Sequence, residues 1–144
     1  TVAKLRGPDA GQPGGVGSAA RRAPDGSTVG ALVVSNGLGD IHARDGTPLV
    51  TSAGGRAAPP VGNTTLVVVA TDAALDRAQC RKLSEVGHDA LARQVRPTHT
   101  MYDGDVVFTL GTGDGSRVSD ELCFVLSDLA LDAIGEAIER SVAG

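Results

Sequence analysis

The 144 residues carry 13 Lys and Arg against 17 Asp and Glu, a net charge of −4, so the charge balance draws the chain to neither nucleic acid nor an anionic membrane. Apolar residues make up 41%, which suits one globular domain, while aromatics are only 2%, so the core has to be built from Val, Leu, Ile and Ala with close backbone packing. No apolar run approaches the roughly 18 residues of a membrane span.

The chain opens on TVAKLRG, with neither an initiator Met nor a signal peptide, and reads as a piece of something longer. Residues 1–15 are Gly/Pro-rich loop. Residues 16–22 and Thr28 to Val34 are the arms of a predicted hairpin. Its turn is Pro24-Asp25-Gly26, where Pro presets φ and Gly supplies a positive φ. Gly37-Leu38-Gly39 breaks the second arm, and Asp40-Ile41-His42 resumes a strand. Residues 43–62 are expected to be loop, ending in a flexible GGRAAPPVG.

Leu66 to Ala70 is a continuous apolar run, the pattern of a strand buried on both faces. Residues 72–95 are helical, with Cys80, Leu83, Gly87, Ala90 and Leu91 recurring at spacings of three and four. Arg96-Pro97 stops that helix. A strand follows at 105–110. Ser119 is positioned to cap a last helix, with Asp120 and Glu121 favourable against its dipole. Its apolar face is Leu122, Leu126, Leu129, Ala133, Ile134, Ala137 and Ile138. The order is ββ and then βαβα. Cys80 and Cys123 show no metal or disulfide spacing, and they read as buried thiols of a reducing, cytoplasmic compartment.

Several residues carry chemistry worth weighing. Thr64 stands at the head of the apolar run, after a Gly/Pro loop. An N-terminal nucleophile occupies that position. Its hydroxyl attacks the preceding carbonyl, here that of Asn63, and hydrolysis of the resulting ester frees a Thr whose own amine acts as base. With a reference pKa of about 7.7–8.0, such an amine is already in part the free base at pH 7. The plainer reading is that Thr64 and Thr65 simply start a strand. Asn63-Thr64-Thr65 also fits a glycosylation sequon, with nothing secretory to support it.

Asp103 and Asp105 are two apart at a strand entrance, where paired carboxylates can hold a hydroxyl and an ammonium. The alternatives are a solvated turn or a calcium loop, and Val107 and Phe108 argue against the calcium loop. Asn36 ends the run ALVVS and suits an oxyanion donor, or a turn. Lys4 is a lone base in a loop. His42, His88 and His99 show no metal-ligand spacing, and His88 reads as a helix packing residue. GTGDGS lacks the Gly-Lys-Ser/Thr of a phosphate loop.

Taken together, GNTTLVVVATDAAL, GHDALARQVRPTHTMYDGDVVF and GGVGSA…DGSTVGALVVSNGLGD resemble the DmpA-type aminopeptidases, a family that includes the nylon-oligomer (6-aminohexanoate oligomer) hydrolases. The similarity runs over about residues 1–112, with a family-like C-terminal helix beyond. The NTT junction and the DGD pair match the nylon-oligomer branch.

The resemblance implies an α/β (α+β) N-terminal-nucleophile-hydrolase-like αββα sandwich, here lacking its N-terminal half with a further catalytic Tyr. It implies a precursor that cuts itself between Asn63 and Thr64. Residues 1–63 then end an α-chain and residues 64–144 form a β-chain that begins with the nucleophile. Asp103 and Asp105 match the residues that position the nucleophile and its amine. Asn36 matches the oxyanion or cleavage-assisting Asn, and Lys4 the Lys near the nucleophile.

The expected function is an autoprocessing Thr hydrolase that cleaves amide bonds of short peptides or ω-amino-acid oligomers through an acyl-enzyme. It needs no metal or organic cofactor. The expected partners are the missing α-chain portion and further copies in a homo-oligomer. The alternatives are a catalytically silent fragment, a structural subunit that completes another sheet, and an acyltransferase of similar fold.

Overall fold

The computed structural model describes residues 1–53 and 62–143. The GGRAAPP segment expected to be flexible thus falls outside the described residues.

After a short 3-10 turn at Pro8–Ala10, the elements in chain order are β1 (Val16–Arg22), β2 (Thr28–Asn36), β3 (Asp40–His42), β4 (Pro48–Val50), β5 (Thr64–Thr71), α1 (Arg77–Gln94), β6 (Val95–Arg96), β7 (Val106–Gly111) and α2 (Asp120–Ser141). The main sheet runs β1-β2-β5-β7, and a small one runs β4-β3-β6. The predicted hairpin forms, with β1 antiparallel to β2 and Gly26 of its turn at φ 91°. The β5–α1–β7 unit places its two strands side by side and parallel.

Both helices lie on one face of the main sheet. Val29, Ala31 and Val33 of β2 and Val67 and Val69 of β5 point to that side and are buried. They meet Leu83, Ala90 and Leu91 of α1 and Leu126, Ile134 and Ile138 of α2 in one apolar cluster. The scarcity of aromatics forces the layers close together. A Cβ on Gly17 would lie 2.0 Å from the carbonyl oxygen of Ala137, so β1 and α2 touch backbone to backbone. Arg21 of β1 ties the same helix by ion pairs to Asp132 and Glu136.

The opposite face is uncovered among the described residues. Three rows of paired residues cross the sheet there: Val16–Val34–Leu66–Val106, Ser18–Leu32–Val68–Phe108 and Ala20–Gly30–Ala70–Leu110. Leu32, Leu66, Phe108 and Leu110 are all exposed, Phe108 at 56%. This corrects the reading of Leu66–Ala70 as buried on both faces. The run is apolar on both sides, but only Val67 and Val69 are covered here.

Other boundaries shift for local reasons. β2 continues beyond Val34 to Asn36, because Ser35 and Asn36 still find partners in Thr65 and Thr64. α1 starts at Arg77 rather than at residue 72. Asp76 stops it there by accepting from the Gln79 N–H at 2.8 Å, and the Gln79 side chain accepts from the Asp76 N–H in return. Ser119 caps α2 as expected, accepting from the Leu122 N–H. The stretch expected to be loop contains β4, paired with β3. Cys80 and Cys123 are half-buried rather than buried, and both are free. Leu122 and Leu129 are also only half-buried, on the flank of the α2 stripe. Among the described residues, no helix is long and apolar enough to cross a membrane.

Candidate active site

One end of the bare face carries the predicted residues. Asn36 and Thr64 are direct partners at the ends of β2 and β5, one step beyond the Val34–Leu66 pair and on the same side. Thr64 therefore opens onto the uncovered face, while Thr65 turns inward and is 1% exposed. The apolar run places the nucleophile candidate by its pleat alone.

Asn63 makes a parallel bridge with Asp103 just ahead of the β5–β7 ladder. That bridge brings the DGD segment against the Asn63–Thr64 peptide. The Gly104 N–H donates to the Asn63 carbonyl oxygen at 2.8 Å, and the Thr64 hydroxyl donates to the same oxygen at 2.6 Å. Space at residue 104 is tight. A Cβ there would stand 3.1 Å from Thr64 Oγ1.

Among the described residues neither carboxylate hydrogen-bonds to Thr64 itself: Asp105 holds the next residue, Thr65, and Asp103 holds Leu38 and Thr100. Asp103 accepts from the Leu38 N–H through Oδ1, and from the Thr100 hydroxyl and N–H through Oδ2. Asp105 accepts from the Thr65 N–H at 2.7 Å through Oδ1. Its Oδ2 takes the Thr98 hydroxyl at 2.8 Å and the His99 N–H at 3.2 Å. Burial alone would raise the Asp105 carboxyl. The hydrogen bonds from Thr65, Thr98 and His99 outweigh it and hold the group below the ordinary Asp range.

Lys4 is not the solvated loop residue that a lone Lys usually is. It is 6% exposed. Its segment is pinned by the Lys4 N–H on the Leu38 carbonyl and the Ala3 N–H on the Gly39 carbonyl. Its Nζ donates to the Asn36 carbonyl at 2.9 Å and to Asn36 Oδ1 at 3.1 Å. Burial pulls its pKa below the ordinary Lys value, and the Asp103 charge partly restores it. Lys4 thereby fixes the Asn36 amide. Asn36 Nδ2 points at the Gly62 carbonyl, 3.2 Å away and one residue upstream of the carbonyl that Gly104 holds.

Thr64, Asn63, Asp103, Asp105, Asn36 and Lys4 thus converge on one junction. The sequence reading passed over Gly104, Thr98 and Thr100. A signal was present in THTMYDGD: hydroxyls at 98 and 100 match carboxylates at 105 and 103 as a nested pair. His88, expected to pack its helix, instead meets His99. Among the described residues, no group of three His, Cys, Asp or Glu could hold a metal ion.

Known proteins carry the same arrangement of elements. The chain is 42% identical over 119 residues to an uncharacterized aminopeptidase of Mycobacterium leprae, a match covering 69% of this chain and 33% of that protein. It is 41% identical over 123 residues to an uncharacterized aminopeptidase of Mycobacterium tuberculosis, covering 69% of this chain and 36% of that one. It therefore spans about a third of the length of the curated relatives it matches.

Among solved structures, a Burkholderia β-aminopeptidase superposes with a TM-score of 0.65 at 25% identity, over 98% of this chain and 43% of that one. A Pyrococcus horikoshii protein gives 0.66 at 27%, over 89% and 39%. The L-aminopeptidase D-Ala-esterase/amidase of Ochrobactrum anthropi, described as a variant of the Ntn-hydrolase fold, gives 0.69 at 22%, over 89% and 39%. The fold is accordingly the α+β fold of these aminopeptidase structures, an Ntn-hydrolase-type sandwich, of which the described residues form the four-stranded sheet with its two helices and the small three-stranded sheet. The profile of peptidase family S58 matches residues 10–144, and with the matched order of strands and helices it settles the lineage: the chain belongs to peptidase family S58.

Proposed function

We propose that this chain is the part of an S58 aminopeptidase that cuts itself between Asn63 and Thr64 and then uses Thr64 as an N-terminal nucleophile on amide bonds. The observation that carries the reading is the crowding of the Asn63 carbonyl. Its oxygen is held by the Gly104 N–H, and the Thr64 hydroxyl already rests on it.

In the self-cleavage step, Thr64 Oγ turns from that oxygen onto the carbonyl carbon. Negative charge develops on the oxygen that Gly104 N–H holds, and the donor is in place before the charge appears. The Oγ–C bond forms, the C–N bond to Thr64 breaks, and the Thr64 nitrogen keeps the proton that the hydroxyl gives up. Water then hydrolyses the ester and leaves Asn63 as a carboxylate.

In the catalytic cycle, Thr64 Oγ attacks a substrate amide while its own amine takes the proton. The amine returns that proton to the departing amine of the substrate. Water releases the acyl group. Asp105 steadies the strand end through the Thr65 N–H, and Asp103 holds the turn that supplies Gly104. Lys4 orients Asn36, whose amide is available to a substrate oxyanion once the Asn63 end departs.

We place the substrates among short peptides and ω-amino-acid oligomers. The aminopeptidase relatives support the peptides, the likeness of the NTT and DGD segments to the nylon-oligomer branch supports the oligomers, and no metal or organic cofactor enters any step. The bare sheet face and the one-third coverage support a working unit that includes further protein packed on Leu32, Leu66 and Phe108.

Mass spectrometry of the intact gene product over time tests the reading. The expected result is a fragment beginning at Thr64, absent in Thr64→Ala and restored in Thr64→Ser. A folded wild type that stays whole overturns it. That result would favour the second reading, a silent sheet-completing subunit, for which the uncovered face is the supporting observation.

A further inference from the structure

The side of Asp105 that faces away from Thr65 is lined by the loop that carries Thr98 and His99, with α1 behind it. Asp105 has a side chain only 2% exposed, and its Oδ2 is met by the main-chain nitrogen and one ring nitrogen of His99. The main-chain N–H lies at 3.2 Å and the ring Nδ1 at 3.1 Å. The His99 backbone sits at φ 54°, in the left-handed region that His visits more often than most residues. The other ring nitrogen, Nε2, lies 3.3 Å from Nδ1 of His88 on α1, with the rings edge to face at 4.8 Å.

With a hydrogen on the His99 Nδ1 that faces Asp105, His99 Nε2 accepts and His88 Nδ1 donates. Burial, and then the neighbouring His99, lower the His88 pKa below the ordinary His value, with Asp105 and Asp89 partly opposing them. The result is a continuous line of polar contacts from the head of β5 to the middle of α1: Thr65 N–H, Asp105, His99, His88.

We propose that His99, backed by His88, is a positioning residue that locks the Asp105 carboxylate onto the Thr65 N–H and so holds the strand end that carries Thr64. The inference rests on the Thr64 reading for its purpose. A chain end freed at Thr64 would fray unless tied down, and Thr65 N–H is the next backbone donor along the strand. The Thr98 hydroxyl and the His99 N–H also hold the carboxylate, but from a loop. The histidine pair anchors it to a helix packed into the core.

The test uses the intact gene product and three variants. His99→Gly removes the ring, keeps the N–H and suits the left-handed backbone. His99→Asn tolerates that backbone and returns a side-chain N–H near the Nδ1 position. His88→Leu removes only the outer partner. In the cleaved protein, His99→Gly should lower kcat about tenfold or more at nearly constant KM, as expected of a misplaced reacting group. His99→Asn should recover most of that loss, and His88→Leu should matter only when His99 is present.

A second readout does not depend on catalysis. On the uncut Thr64→Ala background, amide hydrogen exchange at Thr65 should quicken about tenfold in His99→Gly and not in His99→Asn, with Val67 and Val69 unchanged. If wild type cleaves and His99→Gly matches it in kcat and in Thr65 exchange, the positioning role is wrong. The same holds if His99→Gly loses activity that His99→Asn does not restore. If Thr65 exchange responds as stated but wild type never cuts, the Thr64 reading falls and the lock on Thr65 stands.

Discussion

Gly104 and Thr64 compete for one small volume, and the competition is testable. A methyl at 104 would sit 3.1 Å from Thr64 Oγ1, so Gly104→Ala should slow the appearance of the cut fragment about tenfold by crowding the hydroxyl. Gly104→Pro removes the donor to the Asn63 carbonyl, and a loss of about 10²–10³ in cleavage rate is expected, as for other oxyanion donors. Time-resolved mass spectrometry reads both.

Asp105 makes a separate prediction about pH. Its folded carboxyl is held below the ordinary Asp range. The group therefore contributes its full stability above the unfolded value of about 3.9, and the contribution is lost as pH falls through the folded value. Asp105→Asn should consequently cost more stability at pH 7 than at pH 2.5 in denaturant titrations. Equal costs at the two pH values would show that the carboxylate's charge is not what its hydrogen bonds use. These roles were only partly legible. DGD, NTT and Asn36 stand out as residue types, but Lys4 reads as exposed until the GLG segment is seen to bury it.

The elements were more readable than their ends. The α2 stripe follows from spacings of three and four, and Leu126, Ile134 and Ile138 are fully buried. Ile138→Ala should destabilise the fold by about 2–5 kcal/mol, measured by denaturant unfolding. Boundaries instead depend on side chains that find partners. Residue 72 gives no signal that α1 will wait for Asp76 and Gln79 to close their reciprocal cap. Asp76→Ala should cost about 1 kcal/mol through that cap. β4 is three residues long with an exposed Pro48 and Leu49, too short for a period-two pattern to show, and only pairing with β3 defines it.

At the scale of the molecule, the uncovered sheet face is the dominant feature. Leu32 and Phe108 lie in one row of that face, and each is about half exposed. Soluble proteins seldom leave such a surface open, and its continuation to Thr64 places the candidate site at the rim of whatever covers it. In the intact gene product, Leu32→Glu or Phe108→Glu should lower the melting temperature by several degrees. Leu49→Glu is the control: it is similarly exposed but on the small sheet, and it should have little effect. Equal effects at the three positions would mean that the face stays open to solvent.

What the amino-acid sequence determined on its own was the kind and order of the elements, because period, β-branching and capping residues act over a few neighbours. It also supplied the family resemblance through matched blocks. What only the tertiary structure decided was which groups meet. Lys4, Asn36, the Asn63–Thr64 junction and the pair Asp103 and Asp105 are distant from one another along the chain, and strand register brings Asn36 opposite Thr64 and Asp103 beside Asn63. The donor on the Asn63 carbonyl is a backbone N–H, which every residue but proline possesses, so no residue type could announce it.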